Sequence, residues 1–131
     1  MNYRLSRQSL DRLIGVHPDL VRVVKRALQI SELDFTVLEG LRGILRQEEL
    51  VAAGASNTMN SRHLTGHAVD LGAYVGGTIR WDWPLYHKLA AAMKTAAKEL
   101  SVPLEWGGDW RDKDGARMDG PHFQLPWKDY P

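Results

Sequence analysis

The chain has 131 residues, 44% hydrophobic and 25% charged, the make-up of one folded domain that can bury its own core without crosslinks. Seventeen basic against sixteen acidic side chains leave a net charge of +1, and no stripe of basic and aromatic residues offers itself to nucleic acid. The absence of cysteine excludes disulfides, thiolate catalysis and cysteine-held metals, so any metal must be bound by His and carboxylate.

In chain order, Ser6 to Ile14 reads as a short helix with Leu10, Leu13 and Ile14 on its apolar side. A stronger helix starts near Asp19, where Leu20, Val23, Val24, Ala27 and Leu28 recur at helical spacing. Asp34 to Leu38 is strand-like in its aromatic and β-branched content. Gly40 and Gly43 bracket Arg42 and lead into a helix from Ile44 to Ala53, followed by a polar loop from Gly54 to Asn60. His67 to Tyr74 alternates as a strand, with Ala68, Asp70 and Gly72 on one face. Gly76-Gly77 predicts a hairpin turn before Thr78 to Trp81. The clearest helix runs from Pro84 to Leu100, with Leu85, Leu89, Ala92, Met93, Ala96 and Leu100 as its buried stripe, Asp82 as its cap and Pro103 beyond its end. Leu104 to Trp106 and His122 to Leu125 are short strands flanking a Gly/Asp-rich loop. The predicted architecture is α+β: a small, mainly antiparallel sheet with helices packed on one side and a metal site at the sheet, in a single domain over 1–131 with no separate binding domain.

Two segments carry chemistry: Ser61-Arg62-His63-Leu64-Thr65-Gly66-His67-Ala68-Val69-Asp70 and Asp119-Gly120-Pro121-His122. His63, Asp70 and His122 can supply three ligands to a zinc ion and leave a fourth position for water, the arrangement of a hydrolytic centre rather than a closed structural one. Asp119, three residues before the last ligand in a Gly-Pro turn, is then a spare carboxylate able to carry protons. A metallopeptidase is the function this set suggests. Trp106 and Trp110 flank the site loop and are expected to line a substrate groove, while Trp81, Trp83 and Trp127 are expected in the core or groove wall.

These residues also match a family pattern. Ser61, His63, Gly66, Ala68 and Asp70 meet S-x-H-x(2)-G-x-A-x-D, and Asp119 and His122 meet D-x-x-H. Gly40-Leu41-Arg42, with Gln47 five residues later, fits the Gly-x-Arg context of the same group. From about Leu20 to Leu125 the chain resembles zinc peptidases of the D-alanyl-D-alanine carboxypeptidase-like group, and most of all the small phage endolysins that act as L-alanyl-D-glutamate peptidases. The resemblance implies a zinc-dependent endopeptidase acting on peptidoglycan peptide stems, with His63, Asp70 and His122 as ligands and Asp119 as catalytic base. It also implies Arg42 as the electrophilic or substrate-orienting cation, and Ser61 and Gln47 as substrate contacts.

Related readings remain beside this one: a D-alanyl-D-alanine carboxypeptidase or dipeptidase of the same group, and a non-catalytic zinc-binding module, against which the spare Asp119 argues. His17, His67 and His87 are expected to be ordinary surface or core histidines, and Asp112 to Gly115 a solvated turn rather than a calcium loop. The N-terminal Met-Asn-Tyr-Arg-Leu-Ser-Arg lacks the apolar stretch of a secretory signal, and no run approaches the ~20 apolar residues of a membrane span. A monomer is therefore expected in the host cytoplasm, without a signal peptide, reaching the wall only after the membrane is permeabilised.

Overall fold

The computed structural model describes residues 3–56 and 58–131. Helix α1 (Arg7–Arg12) is shorter than its sequence suggests, and its inward residue is Ser9. The Ser9 hydroxyl accepts from the Val37 amide at 2.9 Å and sits 2.9 Å from the Thr36 hydroxyl, while Arg12 donates to the Val37 carbonyl at 2.9 Å. The helix thus satisfies the open edge of strand β1 (Asp34–Glu39), which needs polar partners rather than an apolar stripe. Leu13 alone of the expected stripe is buried; Leu10 and Ile14 are exposed.

Helix α2 (Pro18–Ile30) begins with Pro18 in its first turn and the His17 ring accepting from the Asp19 amide, so His17 is the cap that the sequence did not disclose. Its stripe Leu20, Val23, Val24, Ala27 and Leu28 is buried, as the periodicity predicts. It packs against helix α4 (Trp83–Leu100), whose Leu89, Ala92, Met93 and Ala96 face inward; Leu85 and Leu100 are only partly covered. Asp82 occupies the N-terminal position of α4 but makes no side-chain cap, because its carboxylate is paired with Arg80. Ser101, in the left-handed conformation, and Pro103 end the helix.

Strand β2 (Ala68–Val75) is the centre of the sheet. It pairs antiparallel with β1 along one edge and, along the other, with β3 (Thr78–Arg80) and β5 (His122–Gln124); β5 in turn pairs with β4 (Glu105–Trp106). Every pairing is antiparallel. The β2–β3 turn holds Gly76 at φ 59° and Gly77 at φ 85°, the double positive φ of a type I′ hairpin. Helix α3 (Ile44–Ala52) follows β1 and buries Gln47. A single 3₁₀ turn, Arg62–Thr65, precedes β2 and is closed by Gly66 at φ 76°, where a Cβ would overlap the Gly15 carbonyl oxygen.

Strand alternation sorts the sheet into two faces. Phe35, Val37, Val69, Leu71, Ala73 and Phe123 join α2 and α4 in the core. Asp70, directly opposite His122 in the β2–β5 register, belongs to the other face, as does the Ala68–Gln124 pair. The α+β expectation holds, and helical packing on one face leaves the other free for chemistry.

Candidate active site

The register sets the geometry. Facing residues on antiparallel strands carry side chains on the same side, so Asp70 and His122 meet without help from any loop, with Asp70 Oδ1 3.2 Å from His122 Nδ1. His63 arrives from the 3₁₀ turn. Its amide donates to the Ser61 hydroxyl at 3.2 Å, its carbonyl accepts from the Arg42 amide at 2.9 Å, and its Nδ1 lies 2.9 Å from the Gly40 carbonyl. That leaves Nε2 pointing at Asp70 Oδ1, 3.2 Å away. The two imidazoles stand edge to face with centroids 5.1 Å apart.

Hydrogen bonding fixes both tautomers. A carbonyl only accepts, so His63 Nδ1 carries the proton toward Gly40 and Nε2 keeps its lone pair. His122 Nε2 faces Gln124 Oε1 at 2.8 Å and donates to it, while the Gln124 amide donates onward to Glu105 at 3.2 Å. His122 Nδ1 therefore also turns a lone pair inward. Two imine nitrogens and a carboxylate oxygen converge, and their ligand atoms all lie within 4.8 Å of one another. Such a donor set repels itself unless a cation sits in it. The two 3.2 Å separations match the edge of about 3.3 Å expected of a tetrahedron with zinc bonds near 2.0–2.1 Å. Among the described residues this is the one such cluster, and it can hold a metal ion.

Charges around it are strongly coupled. Burial pushes the Asp70 carboxyl up, but in the metal-free site protonated imidazoles at His122 and His63 donate to it, and their hydrogen bonds and charge outweigh burial and hold Asp70 well below the ordinary range. Burial lowers His122, yet Asp70 beside it wins and raises the imidazole above its usual value. Asp119 occupies a turn in which the His122 amide donates to the Asp119 carbonyl at 3.2 Å. Its side chain opens to the cavity, but the protein crowded around it pushes the carboxyl above its ordinary value against the pull of His122, His63 and Arg42.

Arg42 is clamped. Its Nε and one Nη donate to the two oxygens of Glu39 at 2.6 and 2.8 Å, and the other Nη donates to Gln47 Oε1 at 2.7 Å. Three of its five N–H groups are thereby used, and the guanidinium borders the cavity 4.0 Å from Asp70. Gln47 is itself fully buried and off the cavity wall; its amide also donates to Ser56 and to the Thr58 carbonyl. It is a brace for Arg42, not a substrate contact as expected. The carboxylate brace Glu39 carries no sequence signal of its own.

The cavity holds about 800 Å³ and is walled by Glu39, Arg42, Ser61, Asp70, Asp119 and Trp110, among others. Ser61 and Trp110 thus stand where the sequence reading places them, Trp110 with its ring 5.2 Å from that of His122. Trp106 does not. It pairs with Phe123 on the core face, is 3% exposed, and donates its indole N–H to the Gly120 carbonyl at 2.7 Å. Trp106 anchors the turn bearing Asp119 and His122 from beneath. Trp127 lies on the cavity wall and Trp83 packs on the core, but Trp81 is exposed and belongs to neither. His67 stays outside the cluster, beside His17 and Tyr130. In the Asp112–Gly115 turn the Asp112 carboxylate accepts from the Asp114 and Ala116 amides. Gln124 was missed, although its place two residues beyond His122 on a strand puts it on the same face.

Similarity to known proteins agrees with this geometry. In fold, the chain is similar to the vancomycin-resistance D,D-dipeptidase VanXYg, with a TM-score of 0.55 and 19% identity over 84% of this chain and 50% of that one. The model of the phage L-alanyl-D-glutamate peptidase family matches residues 1–126, and the chain belongs to that family of peptidases. It is 34% identical to the L-alanyl-D-glutamate peptidase of Escherichia phage T5 over 95% of this chain and 99% of the relative. Over 75% of this chain and 32% of the relative, it is 37% identical to that of Listeria phage A118. The crystal structure of the Serratia marcescens L-Ala D-Glu endopeptidase ChiX superposes with a TM-score of 0.90 at 49% identity, covering 99% of this chain and 95% of that one.

Proposed function

We propose that this peptidase hydrolyses the L-alanyl–D-glutamate bond of peptidoglycan stems with a zinc ion held by His63, Asp70 and His122, and that it serves to lyse the bacterial host. The observation that carries the reading is the convergence of two imidazole lone pairs and one carboxylate beside an uncoordinated acid, Asp119, on the open face of the sheet. The activity of relatives that match along nearly the whole chain supplies the bond.

A zinc ion in this site supplies Lewis acidity, polarising a carbonyl and lowering the pKa of a bound water towards ~7. The remaining work falls to the chain. Asp119 accepts the proton of the attacking water as the new C–O bond forms, and returns it to the departing D-glutamate nitrogen as the C–N bond breaks. In the metal-free site burial raises its pKa, the direction that suits both tasks. Arg42 borders the cavity with two N–H groups uncommitted and stabilises the carbonyl oxygen as negative charge builds there. Glu39 and Gln47 hold that guanidinium in one orientation, so little reorganisation is needed during reaction. The His63–Gly40 and His122–Gln124 hydrogen bonds keep both imidazoles in the tautomer that binds metal.

Mass spectrometry of muropeptides after incubation tests the reading. Release of stems with a free D-glutamate amine is the expected result. Loss of a terminal D-alanine would make the protein a carboxypeptidase, and intact muropeptides with bound zinc would make it a non-catalytic module.

A further inference from the structure

The mechanism leaves Arg62 unused, and its surroundings are unusual for an arginine. It is 3% exposed, yet among the described residues no carboxylate lies within ion-pair distance of it. Its Nε donates to the Leu125 carbonyl at 3.2 Å, and Nη2 donates to the carbonyls of Pro126, at 3.4 Å, and Tyr130. Its guanidinium carbon lies over the indole of Trp127, 3.9 Å from the ring centroid. Those partners are neutral. A buried guanidinium compensated only by carbonyls and an aromatic face keeps most of its attraction for an anion.

One edge of the group stays open. Among the described residues Nη1 has no hydrogen-bond partner and no buried side-chain nitrogen lacks one, so Nη1 reaches solvent. Arg62 and Trp127 both line the cavity that contains Asp70, Asp119 and Arg42. With Trp127 over one face of the guanidinium and Nε and Nη2 committed to carbonyls, the Nη1 edge is the one left for a ligand. That approach suits a planar carboxylate. Arg42 is a poorer candidate for the same task, because Glu39 already occupies it with both oxygens.

We infer that Arg62 and Trp127 form a carboxylate-recognition subsite of the substrate groove, reading a carboxylate of the peptide stem beside the bond that is cut. This rests on the function proposed above. A stem peptide offers two sources: the α-carboxylate of D-glutamate, left free because that residue continues through its side-chain carboxyl, and a carboxylate on the residue that follows.

The test uses the zinc-loaded protein and three synthetic stem peptides: one with both carboxylates free, one amidated only at D-glutamate, and one amidated only at the next residue. Wild-type kcat/KM is expected to fall about ten- to a hundredfold for one of the amides, the scale of losing a charge-assisted hydrogen-bonded pair, and that amide names the carboxylate. In Arg62→Gln the penalty is expected to vanish, so that acid and amide are cut at similar rates. Because Arg62 also ties down residues 125–130, Trp127→Leu serves as a second variant that leaves those tethers in place. Its discrimination is expected to shrink while zinc content is kept. Equal cleavage of all three peptides by the wild type would overturn the inference without touching the proposed function, and needs no variant to fold. Discrimination that persists in the folded variants would overturn it as well, since another residue would then be reading the carboxylate. Cleavage of none of the peptides would instead refute the proposed function itself.

Discussion

Gln124→Leu tests whether the metal centre depends on groups that never touch the metal. In the native site Gln124 Oε1 accepts from His122 Nε2 at 2.8 Å within a buried setting, and its amide is held by Glu105. Leucine fills similar space but accepts nothing. His122 Nε2–H is then left without a partner, a loss of about 1–3 kcal/mol. The imidazole can avoid it by moving its proton to Nδ1, the atom that faces Asp70 Oδ1 at 3.2 Å, and a protonated Nδ1 cannot ligate. Metal binding must then reverse that tautomer and meet the buried penalty again. Zinc affinity is expected to fall about 10- to 100-fold, the usual reach of a partner behind a ligand. Competition against a chromophoric chelator measures it, with circular dichroism to verify that the sheet is intact. A folded Gln124→Leu protein that binds zinc like the wild type would show that His122 needs no support from behind, and the tautomer argument would fail.

Asp119→Asn is expected to keep zinc and fold while cleavage falls by about two to four orders of magnitude, the range of general acid–base catalysis; zinc loss on metal analysis would make Asp119 a ligand instead. In the wild type, activity should fall on acidification as Asp119 takes up a proton, and a pH–rate profile locates that limb. Arg42→Ala is expected to lower kcat about 10²–10³-fold with zinc retained, whereas a rise in KM alone would make it a docking residue. Metal-free protein carries opposite linkages in one pair. The depressed Asp70 contributes stability that is full above 3.8 and lost as pH falls through its folded pKa, while the raised His122 contributes below 6.5 and loses it as pH rises. Zinc instead requires a deprotonated imidazole, so the gap in Tm between zinc-loaded and metal-free protein should widen from pH 6 to 8, and a constant gap in thermal melts would contradict the ligand set.

The residues proposed to hold the metal were legible because the signals for them are local. His63 and Asp70 share one short motif, Asp119 and His122 share another, and strand alternation puts Asp70 on a definite face. What supports them was not. Gln47 resembles a substrate contact until α3 is folded against Arg42, which only the tertiary structure reveals. Trp106 sits next to a glycine-rich loop, but which face it joins depends on its register with Phe123, seventeen residues away. Glu39 ends a strand with nothing beside it in sequence to announce a guanidinium clamp. The first helix forms where expected, but its apolar stripe does not hold for a related reason: the strand edge it covers demands a hydroxyl and a guanidinium.

The pairing of Asp70 with His122 has a bearing on how the chain would acquire the proposed zinc. Fifty-two residues separate them, and they become neighbours only when β5 docks on β2, after α4 has been laid between. The local fragment from His63 to Asp70 contains two of the three proposed ligands, a weak chelate on its own. An unfolded or newly made chain is therefore a poor competitor for zinc, and nearly all the binding energy goes to the finished sheet. Ion capture should come late in refolding, following β2–β5 closure instead of seeding it, and raising the zinc concentration should slow unfolding far more than it speeds folding.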